Sequence, residues 1–267
     1  MKIIRYQDRS GRVGLASEQP DGSALAIEGD LFGEFRVGEK KVEVAKRLAP
    51  LVPNIIWAIG LNYRHHAKEA GFPIPEYPVV FAKSPSSVQH PDDPIVIPTR
   101  LKSDEVDFEC ELAVVIGKTC KNASRQNAFE YVFGYTCAND VSARDWQLKK
   151  GGSQWCRGKN FDTFAPLGPC VVTKDDIPDP HSLRIQTILN GESMQDWTTG
   201  DMIFDIPTLI EFLSASTTLL PGTVIMTGTP QGVGMGRKPP VWMKAGDEIS
   251  IVIDKIGTLT NPVCLET

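Results

Sequence analysis

The chain has 267 residues, a formal net charge of −5, and a composition that is 41% hydrophobic and 23% charged. These values are typical of a water-soluble globular protein with a sizeable core and one or two domains. The negative charge argues against a nucleic-acid or anionic-membrane partner, and no apolar run approaches the length of a membrane span.

Neither the start of the chain nor its cysteines indicate secretion. The opening segment, MKIIRYQDRSGR, lacks the apolar core and cleavage site of a secretory signal. The six cysteines form no CxxC pair and no zinc spacing, and Cys110 and Cys137 lie inside apolar runs. We therefore expect six reduced packing cysteines in a cytoplasmic protein.

Residues 1–52 predict a small N-terminal β domain. Three short strand candidates are separated by Gly, Ser and Asp turns, and the segment VEVAKRLAPL predicts one short helix closed by Pro50 and Pro53. No residue here indicates chemistry. We expect this small sheet to pack on a main domain formed by residues 53–267.

The main domain begins with a buried strand, IIWAIG, followed by a segment, LNYRHHAKEAGF, that predicts a short helix ending at Gly71. His66 and Glu69 are three positions apart and so share a face of that helix. A histidine backed by a carboxylate can act as a general base. The alternative is a chance pair on a surface helix. A mobile lid at residues 63–71 would fit the same pattern.

An acidic strand follows at residues 106–117, VDFECELAVVIG. Strand periodicity places Asp107, Glu109 and Glu111 on one face, where like charges repel unless a hard divalent cation binds them. The alternative is an edge strand that its acids keep soluble. The next strand, FGYTCA, ends at Asp140, which could complete such a site or form an Asx turn or helix cap. Between them, SRQNAFEYV predicts a helix capped by Ser124.

Residues 149–169, KKGGSQWCRGKNFDTFAPLGP, predict a long irregular loop of the kind that carries function. Lys159 lies among aromatic residues there and could stabilise an anion, although a solvated loop lysine is the alternative. Further on, Asn190 and Gly191 predict a hairpin turn, and DIPTLIEFLSAST predicts an amphipathic helix. The later GTPQGVGMG does not match a dinucleotide loop, but its backbone N–H groups could approach a carboxylate.

Five motifs in order resemble the fumarylacetoacetate hydrolase superfamily: GLNYRHHAKEAG, VDFECELAVVIG, NDVSARDWQ, GKNFDTFAPLGP and PGTVIMTGTPQGVG. They span about residues 55–265, and the sequence is most similar to the branch called fumarylacetoacetate hydrolase domain-containing protein 2. The resemblance implies an α+β, mainly β fold: a mixed β-sheet roll, similar to a sandwich or barrel, with a small N-terminal sheet domain. It also implies a homodimer.

The resemblance further implies a Mg²⁺ site, with Mn²⁺ or Ca²⁺ as substitutes. By motif position the metal ligands are Glu109, Glu111 and Asp140, the catalytic residues are His66, Glu69 and Lys159, and the substrate-binding residues are Arg144, Gln147 and Thr229. Fumarylacetoacetate hydrolase itself has a further aspartate ligand before its histidine motif. This chain has no aspartate near LNYRHH, so water or substrate would fill that place.

These features predict a Mg²⁺-dependent enzyme that acts on small 2-oxo or 1,3-dicarbonyl acids through a metal-bound enolate. The main expectation is hydrolysis of a C–C bond in acylpyruvate-like substrates. An oxaloacetate keto–enol tautomerase or decarboxylase is the first alternative, because all three reactions share one intermediate. A non-catalytic, metal-stabilised binding module is the second alternative.

Overall fold

The fold is given by a computed structural model that describes residues 1–152 and 154–267. The strands are β1 (Lys2–Gln7), β2 (Val13–Glu18), β3 (Ala24–Gly29), β4 (Phe35–Lys41), β5 (Lys46–Leu48), β6 (Ile56–Gly60), β7 (Val79–Lys83), β8 (Val88–Gln89), β9 (Ile95–Ile97), β10 (Val106–Asp107), β11 (Cys110–Ile116), β12 (Val132–Asn139), β13 (Ser142–Ala143), β14 (Ala165–Thr173), β15 (Arg184–Leu189), β16 (Glu192–Thr198), β17 (Val224–Met226), β18 (Glu248–Ile253) and β19 (Gly257–Leu265). The helices are α1 (Arg64–Glu69), α2 (Cys156–Lys159) and α3 (Ile206–Ser214). Short 3₁₀ turns lie at Pro85–Ser87, Ala128–Tyr131, Lys174–Asp176, Thr199–Asp201 and Gly234–Gly236, and a π-helical turn lies at Asp145–Lys150.

Two sheets of mixed direction dominate the fold. The larger has the strand order β4-β3-β2-β1-β14-β12-β11-β17-β6-β7, with β5 beside β1 and β8 beside β14. The smaller has the order β16-β15-β18-β19-β9 and packs on β11, β12 and β14. The structure thus confirms the predicted mainly β fold of mixed sheets, and the described strands leave both sheets open rather than closed into a barrel.

Strand β11 lies near the centre of the larger sheet and is buried on both faces. Cys110, Leu112 and Val114 belong to the core that includes the smaller sheet, whereas Ala113 and Val115 belong to a second core on the opposite face. Burial on both faces explains the nearly continuous apolar run that ends this strand. By strand periodicity Glu111 shares the face of Ala113 and Val115.

The N-terminal strands continue the larger sheet, since Lys2 of β1 pairs with Val172 of β14. The predicted helix at residues 42–51 is wrong. Strand β4 runs to Lys41, and β5 then pairs with β1 through Arg5 and Leu48. Pairing with the exposed side of β1 satisfies the backbone of this segment and outweighs its weak helix propensity. The domain boundary at residue 52 stays a prediction.

The prediction of a helix capped by Ser124 is also wrong, because only the turn Ala128–Tyr131 forms. The side chain of Asn127 accepts from the Ser124 backbone N–H at 2.9 Å, which closes a local turn instead of opening a helix. The predicted helix α3 is confirmed: Asp205 caps it by accepting from Thr208 N at 2.9 Å. The hairpin is confirmed too, with Asn190 and Gly191 both at positive φ.

The predicted irregular loop at residues 149–169 is only partly irregular. Its start continues the π-helical turn, its middle contains α2, and β14 begins at Ala165, while residue 153 lies outside the described part. All six cysteines are free thiols, as expected. Among the helices of the described residues, none has the length and apolar character needed to cross a membrane.

Candidate active site

Three buried carboxylates converge at the start of β11. Oxygens of Glu109, Glu111 and Asp140 all lie within 4.8 Å of one another. The pairing of Cys110 with Asn139 brings the start of β11 beside the end of β12, and so carries Asp140 to the two glutamates. The three predicted metal ligands are therefore neighbours, and their role as ligands stays a prediction.

Asp107 does not join this cluster, although strand alternation placed it on the same face. The chain departs from regular strand geometry at Phe108 and Glu109, between β10 and β11. Asp107 instead accepts hydrogen bonds from Gly234 N at 2.7 Å and from Arg144 Nε at 2.8 Å. It therefore positions Arg144 rather than contributing to the carboxylate cluster.

Three buried cations contact the cluster. Lys159 Nζ donates to Glu109 Oε2 at 2.9 Å and to Asp140 Oδ2 at 2.8 Å. Arg144 Nη2 lies 2.7 Å from Glu109 Oε1. The fully buried Lys83 donates to Asp140 Oδ1 at 2.6 Å. The sequence analysis missed Lys83, and its one signal was a lysine at the end of the apolar strand VVFAK.

The two glutamates have opposite electrostatic environments. Burial opposes ionisation of Glu109, but Lys159 and Arg144 outweigh it and hold the pKa of that carboxyl well below its usual range. Burial raises the pKa of Glu111 well above its usual range, and repulsion from Asp140 and Glu109 raises it further. No described basic side chain lies within ion-pair distance of Glu111, whose Oε2 accepts only from Gly228 N, at 2.7 Å. The pKa of Lys159 is raised, because Asp140 and Glu109 outweigh the effect of its burial.

This donor set fits a hard divalent cation. It consists of carboxylate oxygens alone, and it leaves Glu111 buried without a cationic partner among the described residues. Oxygen ligands are those that Mg²⁺, Mn²⁺ and Ca²⁺ prefer. A divalent cation bound beside Glu111 would relieve the repulsion between Glu111 and the carboxylates of Glu109 and Asp140.

The predicted general-base pair is formed on α1. His66 Nδ1 lies 3.1 Å from Glu69 Oε2, and Glu69 Oε1 accepts from Gly232 N at 2.9 Å. With Nδ1 donating to Glu69, the other ring nitrogen of His66 keeps a lone pair for a substrate proton. The adjacent His65 instead pairs with Asp201 at 3.0 Å and is exposed.

The glycine-rich loop at residues 228–236 binds three separate carboxylates through backbone N–H groups. Gly228 donates to Glu111, Gly232 to Glu69, and Gly234 to Asp107. The φ of Gly232 is +97°, and a Cβ there would lie 2.5 Å from a backbone oxygen, so only glycine fits. The loop thus holds carboxylates of the protein itself, and its approach to the carboxylate of a ligand stays a prediction.

The predicted substrate-binding residues border one cavity of about 90 Å³, together with His66, Glu109, Glu111 and Lys159. Arg144 Nη1 donates to Gln147 Oε1 at 3.0 Å. Thr229 Oγ1 accepts from Gln195 Nε2 at 2.8 Å, which leaves the threonine hydroxyl hydrogen free to donate. Seven of the nine predicted site residues therefore border the cavity, and the other two, Glu69 and Asp140, contact His66 and Lys159.

 

Gln195 is a site-supporting residue that the sequence analysis missed. Its buried amide accepts from Cys110 N at 3.0 Å and donates to Thr229 Oγ1 and to Pro230 O, both at 2.8 Å. It thereby joins the carboxylate strand to the loop that carries Thr229. A single glutamine in an amphipathic hairpin gives no local signal of such a role, because Cys110, Thr229 and Pro230 are all distant in sequence.

The family model described as fumarylacetoacetate (FAA) hydrolase C-terminal matches residues 55–264. The chain belongs to the fumarylacetoacetate hydrolase family. This result confirms the predicted family and the prediction of an enzyme.

Two relatives are named as oxaloacetate tautomerases. The protein "Oxaloacetate tautomerase fahd2, mitochondrial" of Xenopus laevis is 52% identical over 291 residues, covering 98% of this chain and 90% of the relative. The protein "Oxaloacetate tautomerase FAHD2A, mitochondrial" of Homo sapiens is 48% identical over 217 residues, covering 81% of this chain and 68% of the relative.

Solved structures share the whole fold. A fumarylacetoacetate hydrolase from Exiguobacterium antarcticum is 36% identical with a TM-score of 0.88, and each chain is covered completely. The 5-carboxymethyl-2-hydroxymuconate delta-isomerase from Mycobacterium smegmatis is 39% identical with a TM-score of 0.86, again over both complete chains.

Proposed function

We propose that this protein is a Mg²⁺-dependent oxaloacetate keto–enol tautomerase. The observation that carries the proposal is that a histidine–carboxylate pair and a buried carboxylate cluster border one small cavity. The tautomerase names of relatives that are 52% and 48% identical support this choice within the family.

The proton transfer falls to His66. In the keto form of oxaloacetate, C3 lies between two carbonyl carbons and carries the proton that moves. Glu69 holds the imidazole through Nδ1 at 3.1 Å and stabilises the cation that forms when the ring accepts a proton. The ring can then return the proton to oxygen, which completes the change from keto to enol.

The developing oxyanion is stabilised by positive charge next to the cavity. Glu109, Glu111 and Asp140 would hold the divalent cation, which supplies Lewis-acid charge when bound. Lys159 adds an ammonium group that is buried and fixed by two carboxylates. Arg144, Gln147 and Thr229 offer the donors that orient a small dicarboxylate in the cavity.

The names of the two relatives favour tautomerisation over C–C hydrolysis, which was the main expectation from the sequence. Hydrolysis needs a water molecule held and aimed at a distal carbonyl. Proton transfer at C3 needs no such water, and the imidazole of His66 is already held by Glu69, whose other oxygen accepts from Gly232 N.

The test is an NMR time course of the protein with Mg²⁺, given oxaloacetate or acetylpyruvate in separate samples, with EDTA controls. We expect faster equilibration of the oxaloacetate tautomers, suppressed by EDTA, with no cleavage of either compound. Acetate and pyruvate from acetylpyruvate would establish a hydrolase instead, and pyruvate from oxaloacetate would establish a decarboxylase. The cytoplasmic location and the homodimer stay predictions, and the two relatives named above are mitochondrial by name.

A further inference from the structure

One wall of the cavity is formed by apolar side chains, which offer no charge to the two carboxylates of oxaloacetate. Phe72, Phe81, Leu148 and Trp155 border the cavity there. The ring of Phe81 lies 5.0 Å from Lys159 Nζ, and its centroid lies 5.7 Å from that of Trp155. An aromatic surface therefore begins at the active-site ammonium and continues away from it.

The cations that border the cavity cannot neutralise a charged substrate group placed against this wall. Lys159 and Arg144 are the lysine and arginine that border the cavity within the described residues, and both are paired with buried carboxylates. A charged group on a long substrate arm would meet the aromatic wall without a counter-charge, which is costly. An aryl arm would bury apolar area there and stack on the rings.

We propose that the same site tautomerises 2-oxo acids that carry one carboxylate and an aryl group on C3. This inference rests on the proposed function for its proton transfer. The C3–H bond breaks, its electron pair forms the C2–C3 double bond, and the C2 carbonyl oxygen gains a proton. The step needs no oxidant, reductant or leaving group, and His66 is the base.

Trp155 is the residue that determines this specificity. Its ring lies against Gly60, where an added Cβ would lie 2.3 Å from ring atom Cζ3. A side chain at position 60 would therefore displace the indole from the wall. Gly60→Ala and Trp155→Ala thus change the same surface in two ways, and neither alters a carboxylate, His66 or Lys159.

The experiment measures hydrogen–deuterium exchange at C3 of phenylpyruvate and of oxaloacetate by NMR in D₂O, with the Mg²⁺-loaded protein. We expect acceleration of both, and loss of both in His66→Ala. In Trp155→Ala and Gly60→Ala, the ratio of kcat/KM for phenylpyruvate to that for oxaloacetate should fall about tenfold. Phe129→Ala, an exposed aromatic outside the cavity, is the matched control and should keep the ratio.

The outcomes separate the two proposals. Acceleration of oxaloacetate without phenylpyruvate would overturn this inference and leave the proposed function standing. Acceleration of neither substrate would overturn both. Acceleration of phenylpyruvate with an unchanged ratio in Trp155→Ala and Gly60→Ala would overturn the assignment of the aryl group to this wall.

Discussion

Glu109 and Glu111 lie two residues apart, yet the protein surrounds them differently. Glu109 contacts the cations of Lys159 and Arg144, whereas Glu111 accepts a backbone N–H from Gly228. Burial alone would raise the pKa of Glu109, but its two cations outweigh burial and lower it. Burial also raises the pKa of Glu111, and there the neighbouring carboxylates raise it further. Their spacing in sequence thus brings the two carboxylates together, while residues distant in sequence decide which of them has a cationic partner.

The largest expected effect concerns the His66–Glu69 pair, whose carboxylate, like that of Glu111, accepts a backbone N–H from the glycine-rich loop. His66→Ala should lower kcat for tautomerisation by about 10²–10⁴-fold, because the general base is lost. Stabilisation by Mg²⁺ in thermal melting should persist, since His66 is not a proposed ligand. His65→Ala is the matched control, and an unchanged kcat in His66→Ala would place the base elsewhere.

Glu109 has cationic partners, and its replacement should destabilise the protein. Glu109→Gln should lower the free energy of unfolding of the metal-free protein by about 3–5 kcal/mol, because Lys159 and Arg144 lose a buried partner. It should also abolish metal binding and activity. Urea unfolding in EDTA measures the first effect, and calorimetric Mg²⁺ titration the second. Retained turnover in Mg²⁺-containing buffer would refute the ligand assignment.

Glu111→Gln should have the opposite effect on the metal-free protein and raise its free energy of unfolding at pH 7 by about 1–4 kcal/mol, because folding no longer has to raise the pKa of a buried carboxyl that is ionised in the unfolded chain. The added stability that Mg²⁺ gives to the wild type should disappear. Urea unfolding with EDTA and with Mg²⁺ measures both. A destabilised metal-free variant would show that the Glu111 charge is balanced.

The smallest expected effect concerns Gln195, which links Cys110, between the two glutamates, to Thr229 of the glycine-rich loop. Gln195→Leu should lower kcat/KM by about tenfold, since Thr229 loses the amide that orients its hydroxyl. If Gln195 acts through Thr229, the double variant with Thr229→Val should lose no more than the larger single variant. Fully additive losses in this cycle would make Gln195 a purely structural residue.

Local patterns predicted the parts of the site that local geometry controls. The i, i+3 spacing placed Glu69 against His66, and strand alternation placed Glu109 beside Glu111. Alternation failed for Asp107, because the chain leaves strand geometry at Phe108 and Glu109. The same limit explains the wrong helix at residues 42–51, where pairing with β1 decided the structure.

Long-range partners could not be predicted from the residues themselves. Lys83 reaches Asp140 from β7, and Gln195 reaches Cys110 and Thr229 from β16. The position of Lys159 came from the resemblance to the family and not from its loop sequence. Tertiary packing brings these residues together, and no local periodicity records it.

The most direct test of the account follows the ultraviolet absorbance of enol-oxaloacetate as it converts to the keto form. With Mg²⁺, the rate should rise in proportion to the wild-type protein concentration, and EDTA or Glu111→Gln should abolish the increase, with no pyruvate formed. A protein-dependent rate that persists in EDTA and in Glu111→Gln would contradict the central claim that the carboxylate cluster binds the metal used in tautomerisation.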